Sequence, residues 1–370
     1  MRTLKDIDVK DKTVLVRADY NVPLSYDNEG KWQVESDLRI RASLPTLQYL
    51  REHEAKKIIL ISHLGRPKGK DESLSLAPVV ERLAWLLAEE STDEVPPVVE
   101  FIDDIDVKGV KSDREEFHSS SDKLAITRVK NAIEQLPSGA IILLENLRFD
   151  PHEKANDPEF AKEIIAATGA EIFVQDGFAV THRAHTSTNA IARLLPSVAG
   201  LLVEKEVDGL SRAIKDPQRP FVVMIGGAKV EDKQPLISEF EPRADRILVG
   251  GKIAADGYKA SDSKVYVAED FDEDGAGDKL DIGPLATSKF LEALGDAKTV
   301  LWNGVLGKTE DPAFATSSEM IAKFLGEQRE IKTIICGGDT TGFVENLTEK
   351  YPNLEFSLIS TGGGAALEFL

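Results

Sequence analysis

The stretch Phe221-Val-Val-Met-Ile225-Gly226-Gly227-Ala228-Lys229-Val-Glu-Asp-Lys233 decides the fold class. Five apolar residues run without polar alternation, the pattern of a strand buried on both faces of a parallel sheet. The run halts at a glycine pair and a helical pattern takes over. Backbone amides at such a junction hold phosphate, and Lys229 and Lys233, four residues apart, share a helix face beside them. The same letters also describe a tight turn with two solvated lysines, and the stretch alone leaves both readings open.

Its neighbours repeat the device. In the second half of the chain Ile247–Val249 runs into Gly250-Gly251, Val300–Trp302 into Asn303-Gly304, Ile334–Cys336 into Gly337-Gly338-Asp339-Thr340, and Phe356–Ile359 into Ser360. In the first half the runs are Val14–Val16, Ile58–Ile61, Val98–Ile102, Ile141–Leu144 and Ile172–Val174, each ending on polar residues. Helical patterns lie between, at Leu76–Ala88, Asp122–Leu136, Pro158–Thr168, Val203–Ile214 and Ser317–Phe324. Strand then helix, repeated in both halves, predicts two α/β domains with right-handed crossovers. Chemistry then belongs beyond the carboxyl ends of the strands. The boundary is expected beside Pro196–Gly200, ahead of a long helical run, giving domains 1–195 and 196–359, with 360–370 near that joint or returning to it. Glu89–Pro97, Asp106–Ser121 and the acidic Glu269–Lys279 read as surface loops. The last lacks the glycine and glutamate register of a calcium loop.

The two halves carry different donors at their strand ends. The first offers side chains: Arg17, Asp19, Asn21, Arg39, His63, Arg66, Arg148, His182, Arg183 and His185. Twelve of the seventeen arginines lie at or before Arg193, and guanidinium forks suit carboxylate and phosphate. A zinc reading of the histidines is disfavoured, because Arg183 stands between His182 and His185. The second half offers backbone. There Asp339 would repel a phosphate on the neighbouring amides unless a magnesium ion lay between them, although an aspartate in this place also suits a helix N-cap. Gly362-Gly363-Gly364 is a further amide nest, or a sharp turn.

Composition narrows the class. The 370 residues carry a net charge of −19, which repels nucleic acid and anionic lipid, so a phosphorylated ligand needs a concentrated positive site. A single cysteine, Cys336, leaves no disulfide framework or thiolate metal cluster and suits the cytoplasm. No signal-like core or uninterrupted run of about 18 apolar residues occurs. The P-loop, the G-x-G-x-x-G fingerprint and the G-x-S-x-G elbow are all missing. What stands is phosphoryl transfer between an arginine-bound anion and a glycine-cradled nucleotide.

At these residues the chain resembles the phosphoglycerate kinase family over essentially its whole length. The family's signatures follow in order: Arg17-Ala-Asp19-Tyr-Asn21-Val-Pro23, Asp37-Leu-Arg39, His63-Leu-Gly-Arg66-Pro67, Leu144-Glu-Asn-Leu-Arg148-Phe and His182-Arg183-Ala-His185. Lys205-Glu206, Gly226-Gly-Ala-Lys229-Val-Glu-Asp-Lys233, Asp281-Ile-Gly-Pro284, Trp302-Asn303-Gly304, Gly337-Gly-Asp339-Thr340 and Ser360-Thr-Gly-Gly-Gly364 complete the set. The resemblance implies two Rossmann-like three-layer lobes, each with a mainly parallel sheet, joined by a hinge and a long helix. It implies transfer of the acyl phosphate of 1,3-bisphosphoglycerate to ADP, giving 3-phosphoglycerate and ATP, with Mg2+ and a monomeric chain. A weakly active or non-catalytic relative, kept for binding or scaffolding, is the alternative.

By the same resemblance, Asp19, Asn21, Arg39, His63, Arg66, Arg148, His182 and Arg183 bind the glycerate substrate. Arg39, Lys229, Lys233 and the amides of Gly362, Gly363 and Gly364 face the transferring phosphoryl group. Gly226, Gly227, Gly250 and Gly251 shape the adenine pocket, and Glu310 binds the ribose. Asn303, Gly338 and Thr340 lie by the nucleotide phosphates, and Asp339 holds the metal. The sequence departs from the family in places. Its W-N-G-P-x-G-x-F-E is here Trp302-Asn303-Gly304-Val305-Leu306-Gly307-Lys308-Thr309-Glu310, and Lys252 follows the glycine pair where a small residue is usual.

Overall fold

The ten apolar runs become strands of two six-stranded parallel sheets in the computed structural model, which describes residues 1–90, 96–103, 119–228, 230–260 and 262–369. The first sheet is built from β1 (Thr13–Arg17), β4 (Lys57–Ile61), β5 (Val99–Ile102), β6 (Ala140–Leu144), β7 (Ile172–Gln175) and β8 (Ser197–Ala199), while β2 (Leu24–Tyr26) and β3 (Trp32–Val34) form a separate hairpin. Its strand order is β5-β6-β4-β1-β7-β8. Alternate residues of each run serve opposite faces, which is why the runs carry no polar positions. Val14, Val16, Ile58, Leu60, Ile141 and Leu143 pack with Leu44, Leu47, Val79 and Leu83 of helices Leu38–Glu52 and Ala77–Glu90. Leu15, Ile59, Ile61, Ile142 and Leu144 pack with Val129, Ile133, Phe160 and Ile164 of helices Ser119–Gln135 and Pro158–Thr168.

The second sheet comprises β9 (Phe221–Ile225), β10 (Arg246–Val249), β11 (Val265–Val267), β14 (Thr299–Asn303), β15 (Lys332–Cys336) and β16 (Leu358–Ile359), in the order β11-β10-β9-β14-β15-β16. A second hairpin pairs β12 (Phe271–Glu273) with β13 (Lys279–Ile282). Strands β9 and β14 are buried throughout, and their carboxyl ends carry the Gly226-Gly227 and Asn303-Gly304 turns.

Helix ends follow the local chemistry. Helix Pro158–Thr168 matches its expected bounds because Asp157 accepts the amides of Glu159 and Phe160 at 2.8 and 3.3 Å, Pro158 opens the first turn, and Gly169 closes the last at φ +65°.

The chain divides into two compact units, Met1–Lys205 and Glu206–Leu370, inside helix Leu201–Lys215. That division lies ten residues beyond the boundary read from sequence at 195/196. Ser197–Ala199, framed by Pro196 and Gly200, is an edge strand on β7 and not a linker. Asp176 also accepts the Leu202 amide at 3.0 Å, tying the start of the helix to the first unit. The final residues belong to the second unit, where the Thr361 amide and hydroxyl donate to Glu206 at 2.6 and 2.9 Å.

The acidic stretch Glu269–Lys279 is not simply a loop. Most of it is the β12–β13 hairpin, whose turn Asp274 holds by accepting the amides of Ala276 and Asp278, both at 2.9 Å. Asp270 caps helix Pro284–Gly295 by accepting the amides of Leu285 and Ala286 at 2.9 and 2.7 Å. Of the other loops read from sequence, residues 91–95 and 106–118 lie outside the described residues. Among the described residues no helix is long and apolar enough to cross a membrane, and no three His, Cys, Asp or Glu side chains gather as metal ligands.

Candidate active site

In the first unit the strand ends assemble a cationic cluster. Arg17, the last residue of β1, is fully buried, and its Nη1 donates to the carbonyls of Ala18 and Ile61 at 2.8 and 3.3 Å. Its Nη2 lies 2.9 Å from Nδ1 of His63, just past β4. A guanidinium has no acceptor, so Nδ1 accepts, and a neutral His63 carries its proton on Nε2. Burial, then the charges of Arg17, Arg148, Arg183 and Arg39, holds the His63 pKa well below the usual imidazole value. His63 is therefore a neutral donor near pH 7.

Asp19 accepts from Arg39 Nη1 at 2.6 Å, and Asn21 Oδ1 accepts the Gly65 amide at 2.8 Å. The Gly65 carbonyl in turn accepts from Arg148 Nη1 at 2.7 Å. Gly65 takes φ +63°, so a backbone that few other residues adopt is clamped between two of the expected ligand-binding side chains. Burial first, and then the charges of Arg17 and Arg183, lowers the Arg148 pKa to about 10. It stays protonated at neutral pH. His182 is exposed, and Arg183 Nε approaches its Nε2 at 3.2 Å. Arg66 is exposed on the loop after β4.

Sequence reasoning passed over the scaffold beneath these groups. Glu145 accepts the Ser75 hydroxyl and the amides of Leu76 and Asn146 at 2.7, 2.9 and 2.7 Å. Asn146 Nδ2 donates to the carbonyls of Leu64 and Leu74 at 2.8 and 2.9 Å, fixing the loop that carries Arg66. Both sit in the quoted Leu144–Phe149 signature, but only Arg148 stood out there as a ligand group.

In the second unit the ends of β9 and β14 cross at backbone distance. The amides of Gly226 and Gly227 donate to the carbonyls of Asn303 and Val305 at 3.0 and 2.7 Å. Side chains would part them: a Cβ on Gly226 would stand 2.6 Å from the Gly304 carbonyl oxygen. Gly251 takes φ +60°, and a Cβ there would meet the Gly227 nitrogen at the same 2.6 Å. Gly250 fits under Leu306, whose methyl would lie 2.7 Å from an added Cβ.

Lys233 is buried and donates from Nζ to Asn303 Oδ1. Thr340, also buried, accepts the Gly304 amide at 2.7 Å. Gly338 and Asp339 open helix Gly338–Lys350, with Asp339 exposed in the first turn. Gly362 donates its amide to the Ser360 hydroxyl at 3.1 Å, Gly363 takes φ +50°, and Gly364 begins helix Gly364–Phe369. Lys229 lies outside the described residues.

A cavity of about 680 Å³ opens beside these turns, and Gly227, Gly251, Glu310 and Asp339 line it. Gly226, Gly250, Lys233, Asn303, Gly338 and Thr340 shape or adjoin the crossing but do not line the cavity. Its remaining walls include Lys252, Phe271, Asp278, Lys279 and Lys308, so the acidic hairpin forms one side. That contribution was invisible in a sequence whose charges read as solvent-facing. Asp281, also lining, is buried, accepts from the hydroxyl and amide of Ser317, and has its pKa raised by burial.

The arrangement suits two anions of different kinds, one gripped by side-chain cations and one cradled by backbone. A family model described as phosphoglycerate kinase matches residues 4–274 and 255–370. The phosphoglycerate kinase of Dictyoglomus turgidum is 38% identical, over 99% of this chain and 94% of its own length. That of Thermus thermophilus is 39% identical, over 100% and 97%. Among solved structures, the phosphoglycerate kinase of Pyrococcus horikoshii OT3 superposes with a TM-score of 0.77 at 28% identity, covering 100% of this chain and 95% of that one. The enzyme of Coxiella burnetii gives 0.71 at 30%, covering 99% and 95%.

Proposed function

The chain belongs to the phosphoglycerate kinase family, and from that premise we propose how its own residues carry the reaction. It is a phosphotransferase that moves the acyl phosphate of 1,3-bisphosphoglycerate to ADP, reversibly, giving 3-phosphoglycerate and ATP. The observation that carries the assignment of roles is the pairing of an arginine cluster around the buried His63 in one unit with a glycine-walled cavity in the other.

In the first unit Arg39, Arg66, Arg148 and Arg183 hold the phosphate and carboxylate of the glycerate, with Arg17 fixing His63 from behind. His63 donates from Nε2 to a substrate oxygen, and Asp19 and Asn21 orient Arg39 and the Gly65 turn. His182 stands at the rim. No general base is needed, because the attacking carboxylate of 3-phosphoglycerate is already ionised. A histidine kept neutral by its surroundings agrees with that.

In the second unit Gly226, Gly227, Gly250 and Gly251 let the backbone approach the nucleotide, and Glu310 accepts from the ribose hydroxyls. Lys229 and Lys233 meet the transferring phosphoryl group, and the amides of Gly362, Gly363 and Gly364 donate to its oxygens. Lys233 donates to Asn303, the last residue of β14, which holds the ammonium at the end of that strand. Phosphoryl transfer asks for alignment and charge stabilisation more than for covalent help, and these groups supply both.

Asp339 fits a magnesium site of the usual nucleotide kind. It is one exposed carboxylate at a helix start on the cavity wall, and Mg2+ commonly takes one or two carboxylates, several waters and phosphate oxygens. When bound with ADP or ATP, the ion neutralises charge on the phosphates. Gly338 and Thr340 shape the same turn. The altered 303–310 loop keeps Glu310 on the cavity wall, which favours an active enzyme over a scaffold protein. We place the enzyme in the cytoplasm as a monomer, following its single cysteine and its family.

The experiment is a pair of calorimetric titrations on Arg148→Ala. Loss of one charge-assisted grip should weaken 3-phosphoglycerate binding about tenfold or more, with ADP binding unchanged. Equal loss of both affinities would reject the assignment of sites.

A further inference from the structure

Glu153 lies in the short helix His152–Ala155, on a segment that no signature above includes, and it is fully buried. Its Oε1 accepts the Ser187 hydroxyl at 2.6 Å and its Oε2 accepts the Ser187 amide at 3.0 Å. The surrounding seam is stitched tightly. Thr186 donates its hydroxyl to the His152 carbonyl at 2.8 Å and accepts the Asp157 amide at 2.9 Å, and Asn156 donates to Asn189 at 3.1 Å. The carboxylate therefore sits at a fixed place behind the segment carrying Arg183 and His185, with His185 Nδ1 3.8 Å from its Oε1.

Its two oxygens take the two Ser187 donors, but sealing a charge in the interior costs far more than two such bonds return unless other charges offset it. The offset lies in the charges it faces. Glu153 is the strongest charge supporting the protonated form of Arg17, and it acts on Arg148 in the same sense, against burial and the other arginines. Arg17, Arg39, Arg148 and Arg183 form one electrostatic cluster around His63, and Asp19 and Glu153 are carboxylates that act on Arg17 and Arg148. Asp19 pairs directly with Arg39 at 2.6 Å, whereas the fully buried Glu153 is hydrogen-bonded to Ser187.

We infer that Glu153 is a positioning residue that tempers the anion affinity of the arginine cluster, keeping the site able to release a multiply charged ligand. Bound anion and buried carboxylate repel each other through the cluster they share. Removing the carboxylate charge makes the site hold anions more tightly, and turnover suffers where a tightly held product must leave. The turnover consequence rests on the glycerate reading of this unit; the binding consequence does not.

The test is calorimetric titration of the full chain with inorganic sulfate, a probe independent of the assigned reaction. Glu153→Gln, which keeps an acceptor for Ser187, should bind sulfate at least about threefold more tightly, with a steeper dependence on ionic strength. Glu153→Asp, which keeps the charge, should stay within about twofold of the parent. In steady state Glu153→Gln should lower KM for 3-phosphoglycerate without raising kcat, the mark of added uniform binding. A merely structural residue would give the opposite sign, looser binding in every variant. Sulfate affinity that is unchanged or weaker in folded Glu153→Gln overturns the inference, as does a Gln variant that stays unfolded even in sulfate. Tighter sulfate with no change in 3-phosphoglycerate binding would uphold the tempering role and count instead against the glycerate assignment.

Discussion

Replacing Gly251 by alanine probes the backbone crossing on which the proposed nucleotide site depends. Two effects act there, and a neighbouring glycine separates them. Gly251 takes φ +60° and Gly257 takes φ +85°, so alanine is strained at both, by about 1–2 kcal/mol. They differ in space. A Cβ at Gly251 would stand 2.6 Å from the Gly227 nitrogen and 3.1 Å from the Gly227 and Val305 oxygens, whereas nothing lies within 4 Å of one at Gly257. The Gly227 amide is the group that donates to Val305 at 2.7 Å, so relief of the clash pulls on that bond. Leaving a buried amide unpaired costs a further 1–3 kcal/mol or so.

Gly251→Ala should therefore lose roughly 2–5 kcal/mol and Gly257→Ala only about 1–2, readable as unequal drops in Tm by scanning calorimetry. Because Gly227 and Gly251 both line the cavity, Gly251→Ala should also weaken ADP binding about tenfold or more, with Gly257→Ala near the parent value. Equal Tm losses, or ADP affinity within about twofold of the parent in folded Gly251→Ala, would refute the view that backbone approach builds this site.

Two further outcomes follow from the same geometry. Lys233→Ala, removing the point charge proposed to follow the phosphoryl group, should lower kcat by about 10²-fold, near 2.7 kcal/mol of transition-state stabilisation, with KM values moving far less; near-parent kcat at saturating substrates would deny it that role. His185 has its pKa lowered to about 4, by burial first and then by Arg148, Arg183, Arg17 and Lys154, so between about pH 4 and 6.5 the unfolded chain binds a proton that the folded chain refuses. Stability should rise with pH across that window and the gain should level off above it; in denaturant titrations His185→Gln should show a shallower rise, and identical slopes would contradict the assignment.

Much of this was legible in sequence for a definable reason. Strands buried on both faces, such as β1, β4, β6, β9 and β14, are apolar through their middle positions and announce themselves as unbroken runs. Short edge strands do not: Ser197–Ala199 is three residues between a proline and a glycine, and Val265–Val267 is no longer. The β12–β13 hairpin escaped because Asp272, Asp274 and Asp278 look like solvated charge, although Asp278 faces the cavity. Arginines such as Arg17, Arg66 and Arg148 were visible beyond the apolar runs, where packing alone does not require them. The groups holding them were not. Nothing about the letters around Glu153 tells that its carboxylate is buried against residues more than thirty positions away, since that fact exists only once the segments meet.

The most direct test of the central claim is a steady-state assay of the purified chain with 1,3-bisphosphoglycerate, ADP and magnesium, followed by ATP formation, and run again from 3-phosphoglycerate and ATP. Magnesium-dependent turnover is expected in both directions, abolished in neither by swapping the coupling enzymes, and strongly reduced by Lys233→Ala in each. A folded chain that binds both ligands by calorimetry yet forms no ATP above background in either direction would contradict it.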